Sequence, residues 1–247
     1  HTKVFFHKLG DAPENATLIF GQDRPKADMI TLSLSFDGRY LAIHVARTWT
    51  ENEIYIYDSH IKKLTPLIVG IPAHFSLKFL HDKFILCTNY KANNYKLLST
   101  KLSELFNPLD EWQEFFPERE HVLEFICLSA DRIFLSYLVN ACSEVLILDH
   151  SGNEIEKLPL PKYTTLAGIS TRLSEKEFFY GVESFTFPKI VSRFNPQIQG
   201  YEMYKTIKNP LNPDDYIIGQ EWFESKDGTR VPLFVFHKKE NDYVSII

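Results

Sequence analysis

The sequence predicts an all-β protein: a partial β-propeller of about four and a half four-stranded antiparallel blades, followed by a C-terminal hairpin. Three observations lead to this prediction. Most of the 247 residues alternate between apolar and polar, and helical spacing is nearly absent. Phe and Tyr are abundant, at 20 and 12 residues, and their flat rings pack well on pleated sheets. A hairpin, a third strand and an outer strand also recur in the same order along the chain.

The recurrence has a nearly fixed period. Its hairpins turn at Asp37, Asp82, Asp131 and Glu175, so successive turns lie 45, 49 and 44 residues apart. A period of roughly 40 to 50 residues with four strands per unit is typical of propeller blades. A β-sandwich also has short, regularly spaced strands and is the alternative fold. A sandwich gives no reason for a fixed four-strand order, so the propeller is favoured.

The first blade is incomplete, because KVFFHKLG and TLIFGQ correspond to a third and fourth strand without a preceding hairpin. Four full blades follow, beginning with ITLSLSFDGRYLAIHVA, HFSLKFLHDKFILCTNY, VLEFICLSADRIFLSYL and TLAGISTRLSEKEFFYGVESFTF. We therefore divide the chain into a propeller portion at 1–214 and a linker hairpin at 215–247. The predicted blades cover approximately residues 3–20, 30–70, 74–117, 121–161 and 165–207.

The C-terminal stretch WFESKDGTRVPLFVFHKK contains the clearest hairpin pattern in the sequence. It alternates, turns at Asp227-Gly228 and alternates again, which predicts strands at 221–226 and 230–237. Asp-Gly is a pair favoured by type I′ turns, in which the glycine has a positive φ. The sequence therefore predicts a tight turn with positive φ at Gly228.

Composition excludes several function classes. The formal charge of −5, with 44% hydrophobic and 24% charged residues, is that of an ordinary soluble domain, and no basic stripe indicates nucleic-acid binding. No apolar run approaches the ~18 residues of a membrane helix, so no membrane partner is expected.

Three cysteines (Cys87, Cys127 and Cys142) lack metal or disulfide spacing. They indicate a reducing, cytoplasmic location, with the periplasm as an alternative.

No catalytic motif is recognisable in the sequence. The closest approach to a GxSxG nucleophile elbow is Gly168-Ile-Ser170-Thr-Arg172, which lacks the second glycine and falls inside a predicted strand pair. There is no HExxH motif, and His74 and His81 lie seven residues apart across a strand. A glycine-rich phosphate loop is also missing. We expect no catalytic residue, metal or cofactor in this chain, which indicates a binding or gating module.

A resemblance explains the C-terminal hairpin. SKDGTRVPLFVFHKK (225–239) resembles the segment through which prolyl oligopeptidases leave their propeller and enter an α/β-hydrolase domain. Other segments resemble the same family in the same order: VFFHKLGD (4–11), LSFDGRYLAIHV (34–45), CTNYKANNYKLL (87–98), LSYLVNACSEVLILDHSGNEIEKLPLP (135–161) and FFYGVESFTFP (178–188). One departure is the Glu-Asn-Asp after HKK, which lacks the longer glycine-containing spacer of the family.

The resemblance implies a serine-type prolyl endopeptidase that hydrolyses short peptides after proline. Its seven-bladed propeller acts as a size filter for a hydrolase domain carrying a Ser-Asp-His triad. The triad lies downstream in the family, so no catalytic residue is assigned here, and YVSII (243–247) is expected to lead into that domain. The implied partners are short proline-containing peptides and the missing blades and hydrolase domain of the same polypeptide. By itself, the four-and-a-half-blade chain is not expected to close as a ring.

The resemblance also suggests site residues. Residues 10–29 match a family loop that faces the space between the domains, which makes Gly10, Asp11, Asp23 and Pro25 candidates for a mobile gate. Cys87, Thr88 and Asn89, at the end of a strand, are candidates for facing the substrate. Turn residues are the alternative interpretation for Thr88 and Asn89. The second functional hypothesis is a free-standing propeller that binds a protein or peptide partner.

Overall fold

The computed structural model describes residues 2–240 and 245–246 and is built from antiparallel strands joined by short turns. Within each four-stranded sheet, consecutive strands are neighbours, which is the meander of a propeller blade. The predicted fold class, a partial β-propeller, is confirmed. The chain separates into two compact units, residues 1–120 and 121–247. The predicted division at residue 214 stays a prediction.

The first unit contains one two-stranded and two four-stranded sheets. The two-stranded sheet pairs β1 (Val4–Phe6) with β2 (Thr17–Phe20). The next sheet contains β3 (Met29–Leu34), β4 (Tyr40–Ala46), β5 (Asn52–Asp58) and β6 (Lys63–Ile68). The third contains β7 (Phe75–Leu80), β8 (Lys83–Thr88), β9 (Lys96–Lys101) and β10 (Gln113–Phe116). Single 3₁₀ turns occur at Pro13–Asn15, Leu102–Glu104 and Leu109–Glu111.

Alternation along β5 explains how these sheets stack. Ile54 and Ile56 point to one face and pack with Phe75 and Leu77 of β7 in the main core of this unit. Tyr55 lies on the opposite face, where it contacts the cluster formed by Val4 and Phe20 of the small sheet with Ile43 and Val45 of β4. The side chains of β5 thus help cover a different neighbouring sheet on each face, because successive strand residues point in opposite directions.

The second unit contains two four-stranded sheets and a final three-stranded sheet. The first comprises β11 (Val122–Leu128), β12 (Ile133–Val139), β13 (Cys142–Leu148) and β14 (Glu154–Lys157). The second comprises β15 (Thr165–Thr171), β16 (Phe178–Ser184), β17 (Phe187–Asn195) and β18 (Gly200–Thr206). After a 3₁₀ turn at Pro213–Asp215, the last sheet joins β19 (Tyr216–Glu224), β20 (Arg230–Lys238) and β21 (Ser245–Ile246). Residues 243, 244 and 247 of the predicted YVSII segment lie outside the described residues.

The core of the second unit is aromatic. Phe178 is fully buried and contacts Phe134 edge-on at 4.5 Å and Phe194 in a stacked arrangement at 5.1 Å between ring centroids. The guanidinium of Arg132 covers the ring of Phe194 at 4.3 Å, where it gains a cation–π contact. Burying one such ring stabilises the fold by about 2–3 kcal/mol. The adjacent sheets β11–β14 and β15–β18 therefore share one hydrophobic core.

The Asp227-Gly228 turn has the predicted positive φ but a different turn type. Gly228 has φ +83°, whereas Asp227 is not among the described residues with positive φ, as a type I′ turn would require. The amide of Gly228 donates to the carbonyl of Ser225 at 2.9 Å, and the amide of Ser225 donates to the carbonyl of Thr229 at 2.8 Å. This is a type I turn followed by a left-handed glycine. The strand bounds also differ from the prediction: β19 begins at Tyr216 rather than Glu221 and ends at Glu224 rather than Lys226, and β20 extends to Lys238.

Among the described residues, no helix is long and apolar enough to cross a membrane. The helical elements of that part of the chain are 3₁₀ turns of three residues each. The side chains of a binding site in this part of the chain are therefore positioned by strand ends and by the turns between strands.

Candidate functional site

The serine closest to a nucleophile motif is held in a strand. Ser170 belongs to β15 and lies opposite Phe179 of β16 in the antiparallel ladder. A nucleophile elbow requires a sharp turn between a strand and a helix, and this position has none. In the part of the chain that the structure describes, no group of three His, Cys, Asp or Glu side chains is arranged to hold a metal ion.

The three residues predicted to face substrate make internal contacts. Cys87 and Thr88 are buried at the end of β8, and burial raises the pKa of the Cys87 thiol to about 12. The Thr88 hydroxyl accepts a hydrogen bond from the amide of Tyr90, and Asn89 Oδ1 accepts one from the amide of His74 at 2.7 Å. These contacts favour the turn interpretation, since the polar atoms already bind backbone. Their assignment to a substrate surface stays a prediction.

The predicted gate at 10–29 is not one continuous loop. Gly10 and Asp11 lie in an exposed turn, with Gly10 at φ +94° and no atom within 4 Å of an added Cβ. Strand β2 then pairs with β1, so the middle of the range is part of a sheet. Asp23 and Pro25 are exposed, but the residue between them, Arg24, is anchored by ion pairs. The turn around Gly10 is exposed and lies outside both the β1–β2 pairing and the ion pairs of Arg24, and the gating role of the range stays a prediction.

The linker hairpin contacts the two four-stranded sheets of the second unit through aromatic rings and one hydrogen bond. Phe234 of β20 contacts Tyr163 at 6.0 Å and Phe185 at 5.2 Å between ring centroids. Phe236 stacks on Phe185 at 6.0 Å. Gln220 Nε2 of β19 donates to the carbonyl of Asn140, in the turn between β12 and β13, at 2.7 Å. The chain after β18 thus packs on the β12–β13 and β16–β17 turns and on the connection from β14 to β15.

The equivalent turn of the first unit, between β4 and β5, borders a cavity of about 270 Å³. Its walls are formed by this turn and by the connection from β6 to β7: Val45, Arg47, Glu51, Asn52, Glu53, Gly70, Ile71 and Pro72. The side chain of Arg47 is 53% exposed and brings a permanent positive charge to this wall. We take this cavity, the Arg47 pocket, as the candidate binding site.

Two carboxylates orient Arg47. Its Nη2 lies 3.5 Å from Glu53 Oε1, and its Nε lies 3.9 Å from Asp28 Oδ1. Both distances are long for ion pairs, so the guanidinium keeps donors available for a further acceptor. An arginine held in this way can bind a peptide carbonyl or a carboxylate. It carries no group that could act as a nucleophile or a general base at neutral pH.

Sequence reasoning did not identify the Arg47 pocket. A partial signal was present, because the β4–β5 register places Val45 opposite Glu53, and Arg47 follows Val45 by two residues. Strand periodicity then puts Arg47 and Glu53 on the same side. Nothing in the sequence pattern indicated that Asp28, from the segment before β3, would join them.

Comparison with known proteins assigns the chain to a family. Residues 1–206 match the family described as the prolyl oligopeptidase N-terminal beta-propeller domain. A prolyl endopeptidase of Elizabethkingia meningoseptica is 29% identical over 240 residues, which cover 96% of this chain and 34% of the relative. Prolyl oligopeptidase A of Galerina marginata is 29% identical over 254 residues, which cover 97% of this chain and 34% of the relative.

Solved structures agree with this assignment. A prolyl endopeptidase structure superposes with a TM-score of 0.87 at 26% identity, covering 96% of this chain and 35% of that one. Prolyl oligopeptidase B from Galerina marginata, at 22% identity and a TM-score of 0.82, shows the same fold. The chain thus spans about a third of the length of the relatives it matches. Because the family match covers most of its residues, the chain belongs to the prolyl oligopeptidase family and carries its N-terminal β-propeller domain.

Proposed function

We propose that this chain is the propeller portion of a serine-type endopeptidase that hydrolyses short peptides on the carboxyl side of proline. The observation that carries the proposal is the family match over residues 1–206, together with relatives named prolyl endopeptidases. The serine nucleophile and its partners come from the remainder of the full-length protein. The alternative of a free-standing binding propeller is not favoured, because the matched relatives are peptidases.

The contribution of the propeller is selection and positioning of substrate. A rigid β-scaffold admits extended peptides and excludes folded proteins, whereas turns between its strands provide the contacts. Prolyl oligopeptidase B of Galerina marginata has been solved with a 35-residue substrate bound, so a relative of this fold accepts peptides of that length. The exposed stretch around Gly10 and Asp11 is the gate that we propose for peptide entry.

We assign the substrate contact to the Arg47 pocket. The exposed guanidinium offers N–H donors toward a cavity large enough for a peptide side chain, and the backbone of an extended peptide offers carbonyl acceptors. This contact acts in binding rather than in chemistry. Removing it should therefore weaken substrate binding and leave the chemical step unchanged.

The test uses the full-length protein and a fluorogenic peptide of the form Xaa-Pro-Xaa. We expect cleavage after proline, and loss of that cleavage with a serine-directed reagent. A matched peptide with alanine in place of proline should be cleaved poorly. Absence of cleavage of the proline peptide would contradict the proposed reaction. Hydrolysis by the 247-residue chain alone, above the buffer rate, would contradict the assignment of catalysis to other residues.

A further inference from the structure

Arg24 lies behind the Arg47 pocket, in the segment between β2 and β3. Its side chain is only 16% exposed, and its guanidinium is within about 6 Å of the ring centroids of both Phe20 and Tyr55. The Nε atom donates to Asp28 Oδ2 at 2.7 Å, and Nη2 lies 2.9 Å from Glu53 Oε2. Nη1 donates to the Tyr55 hydroxyl at 3.2 Å. An arginine with this many partners has a fixed position.

Each carboxylate that contacts Arg24 also contacts Arg47 through its other oxygen. Asp28 uses Oδ2 for Arg24 and Oδ1 for Arg47. Glu53 uses Oε2 for Arg24 and Oε1 for Arg47. The contacts to Arg24 are 2.7 and 2.9 Å, whereas those to Arg47 are 3.9 and 3.5 Å. The two carboxylates are therefore oriented by Arg24 and present their remaining oxygens to Arg47.

Burial makes this arrangement dependent on Arg24. The side chains of Asp28 and Glu53 are 3% and 13% exposed, so water does little to solvate them. A buried carboxylate without its cation reorganises or draws in another cation. Arg47, which already contacts both carboxylates, would then be pulled inward from the cavity. The Tyr55 hydroxyl, which donates to Glu53 Oε2 at 2.9 Å, cannot supply the missing charge.

We propose that Arg24 is a positioning residue for substrate binding: through Asp28 and Glu53 it holds the guanidinium of Arg47 at the cavity. This inference rests on the proposed function of the Arg47 pocket. Arg24 itself does not touch substrate. Its loss should displace Arg47 and weaken peptide binding without changing the chemical step.

The experiment is a double-mutant cycle in the full-length protein, with kcat and KM measured for a short proline-containing peptide. Arg47→Gln should raise KM roughly three- to tenfold at unchanged kcat, as expected for loss of a binding contact. Arg24→Gln should raise KM by a similar factor. The double variant should raise KM no further, because both changes remove the same contact. The concentration of active enzyme is fixed by titration with a serine-directed reagent.

Two further variants keep the test decisive if Arg24→Gln does not fold. Arg24→Lys retains the charge but loses the planar fork that reaches both carboxylates, so it should produce a partial rise in KM. Asp28→Asn removes one of the two bridging charges and should also raise KM.

Arg39→Gln is the matched control, because Arg39 pairs with Asp58 on the same sheet at 3.0 Å and has no contact with this network. It should leave KM unchanged.

The outcomes separate the two proposals. If Arg47→Gln raises KM and Arg24→Gln, Arg24→Lys and Asp28→Asn do not, the positioning role is wrong and the Arg47 contact stands. If the effects of Arg24→Gln and Arg47→Gln on KM multiply in the double variant, Arg24 acts independently and the inference is also wrong. If Arg47→Gln leaves KM unchanged, the proposed substrate contact fails, and the role of Arg24 fails with it.

Discussion

The side chain of Asn52 and the backbone of Phe75 bind each other at two points, which joins the sheet of β3–β6 to the sheet of β7–β10. Asn52 Oδ1 accepts from the Phe75 amide at 2.7 Å, and Asn52 Nδ2 donates to the Phe75 carbonyl at 3.0 Å. Both residues are buried. Ser143 occupies the corresponding place in the second unit, where its hydroxyl accepts from the amide of Leu166 at 2.9 Å. The start of a third strand thus binds the next blade in both units.

The two hydrogen bonds between Asn52 and Phe75 predict a loss of stability for Asn52→Ala. The substitution removes both side-chain hydrogen bonds from the buried Phe75 backbone, which keeps its hydrogen bond with His44, at a cost of about 1–3 kcal/mol. Ser143→Ala removes one bond and should cost about 1–2 kcal/mol. Urea denaturation of both variants measures the two values. A decrease of less than about 0.5 kcal/mol in the free energy of unfolding of Asn52→Ala would show that these hydrogen bonds do not stabilise the fold.

The linker turn predicts a strain effect at Gly228. The residue has φ +83° and no atom within 4 Å of an added Cβ, so only the backbone conformation resists substitution. Gly228→Val should destabilise by about 1–2 kcal/mol, because a β-branched residue is unfavourable in the left-handed region. Gly228→Asn is the matched variant and should cost less, since Asn tolerates that region. Equal thermal stability of the two variants would contradict the strain argument.

His44 predicts a loss of stability in acid. The pKa of His44 is lowered to about 4, mainly by burial; a hydrogen bond with the Phe75 backbone opposes this shift, and Lys78 and His74 add smaller contributions that lower the pKa. In the unfolded chain the His44 ring is protonated below about pH 6.5, whereas in the folded chain it is protonated only below about pH 4. Stability is therefore complete above about pH 6.5 and decreases as the pH falls toward 4, by roughly 2 kcal/mol after allowance for partial exposure.

The pH effect is measured by urea denaturation between pH 7 and pH 4. Comparison of the protein with His44→Gln isolates the contribution of this ring, and His7→Gln, which replaces an exposed histidine, is the control. We expect the decrease over this range to be smaller in His44→Gln only. The same decrease in all three proteins would assign the acid sensitivity to other groups.

Cys87 is predicted to be inert toward thiol reagents in the folded protein. Its burial and its raised pKa leave a thiolate fraction at pH 8 about a thousandfold below that of an ordinary cysteine. Alkylation followed by mass spectrometry, with and without urea, measures the protection. Rapid labelling of Cys87 in the native protein would instead show an accessible thiol, as expected of a residue that faces substrate.

Strand patterning made much of the fold predictable, whereas single turns and side-chain sites were less so. The hairpins at Asp37 and Gly228 were recognisable because an Asp-Gly pair lies between two alternating runs. The turn type could not be predicted in the same way, because it is determined by hydrogen bonds between flanking residues such as Ser225 and Thr229. Cys87 and Thr88 illustrate a second limit. A strand end can face solvent or a neighbouring sheet, and local pattern does not distinguish these cases.

The sequence by itself determined the period of the chain, the order of its strands and the family to which it belongs, because these depend on local alternation and on collinear motifs. The tertiary structure decided where charges meet. Arg24 and Arg47 are 23 residues apart and share Asp28 and Glu53 only because β2, β4 and β5 pack together. Coulombic contacts depend on distance in space, and strand periodicity specifies the face of a residue but not its neighbours on the next sheet.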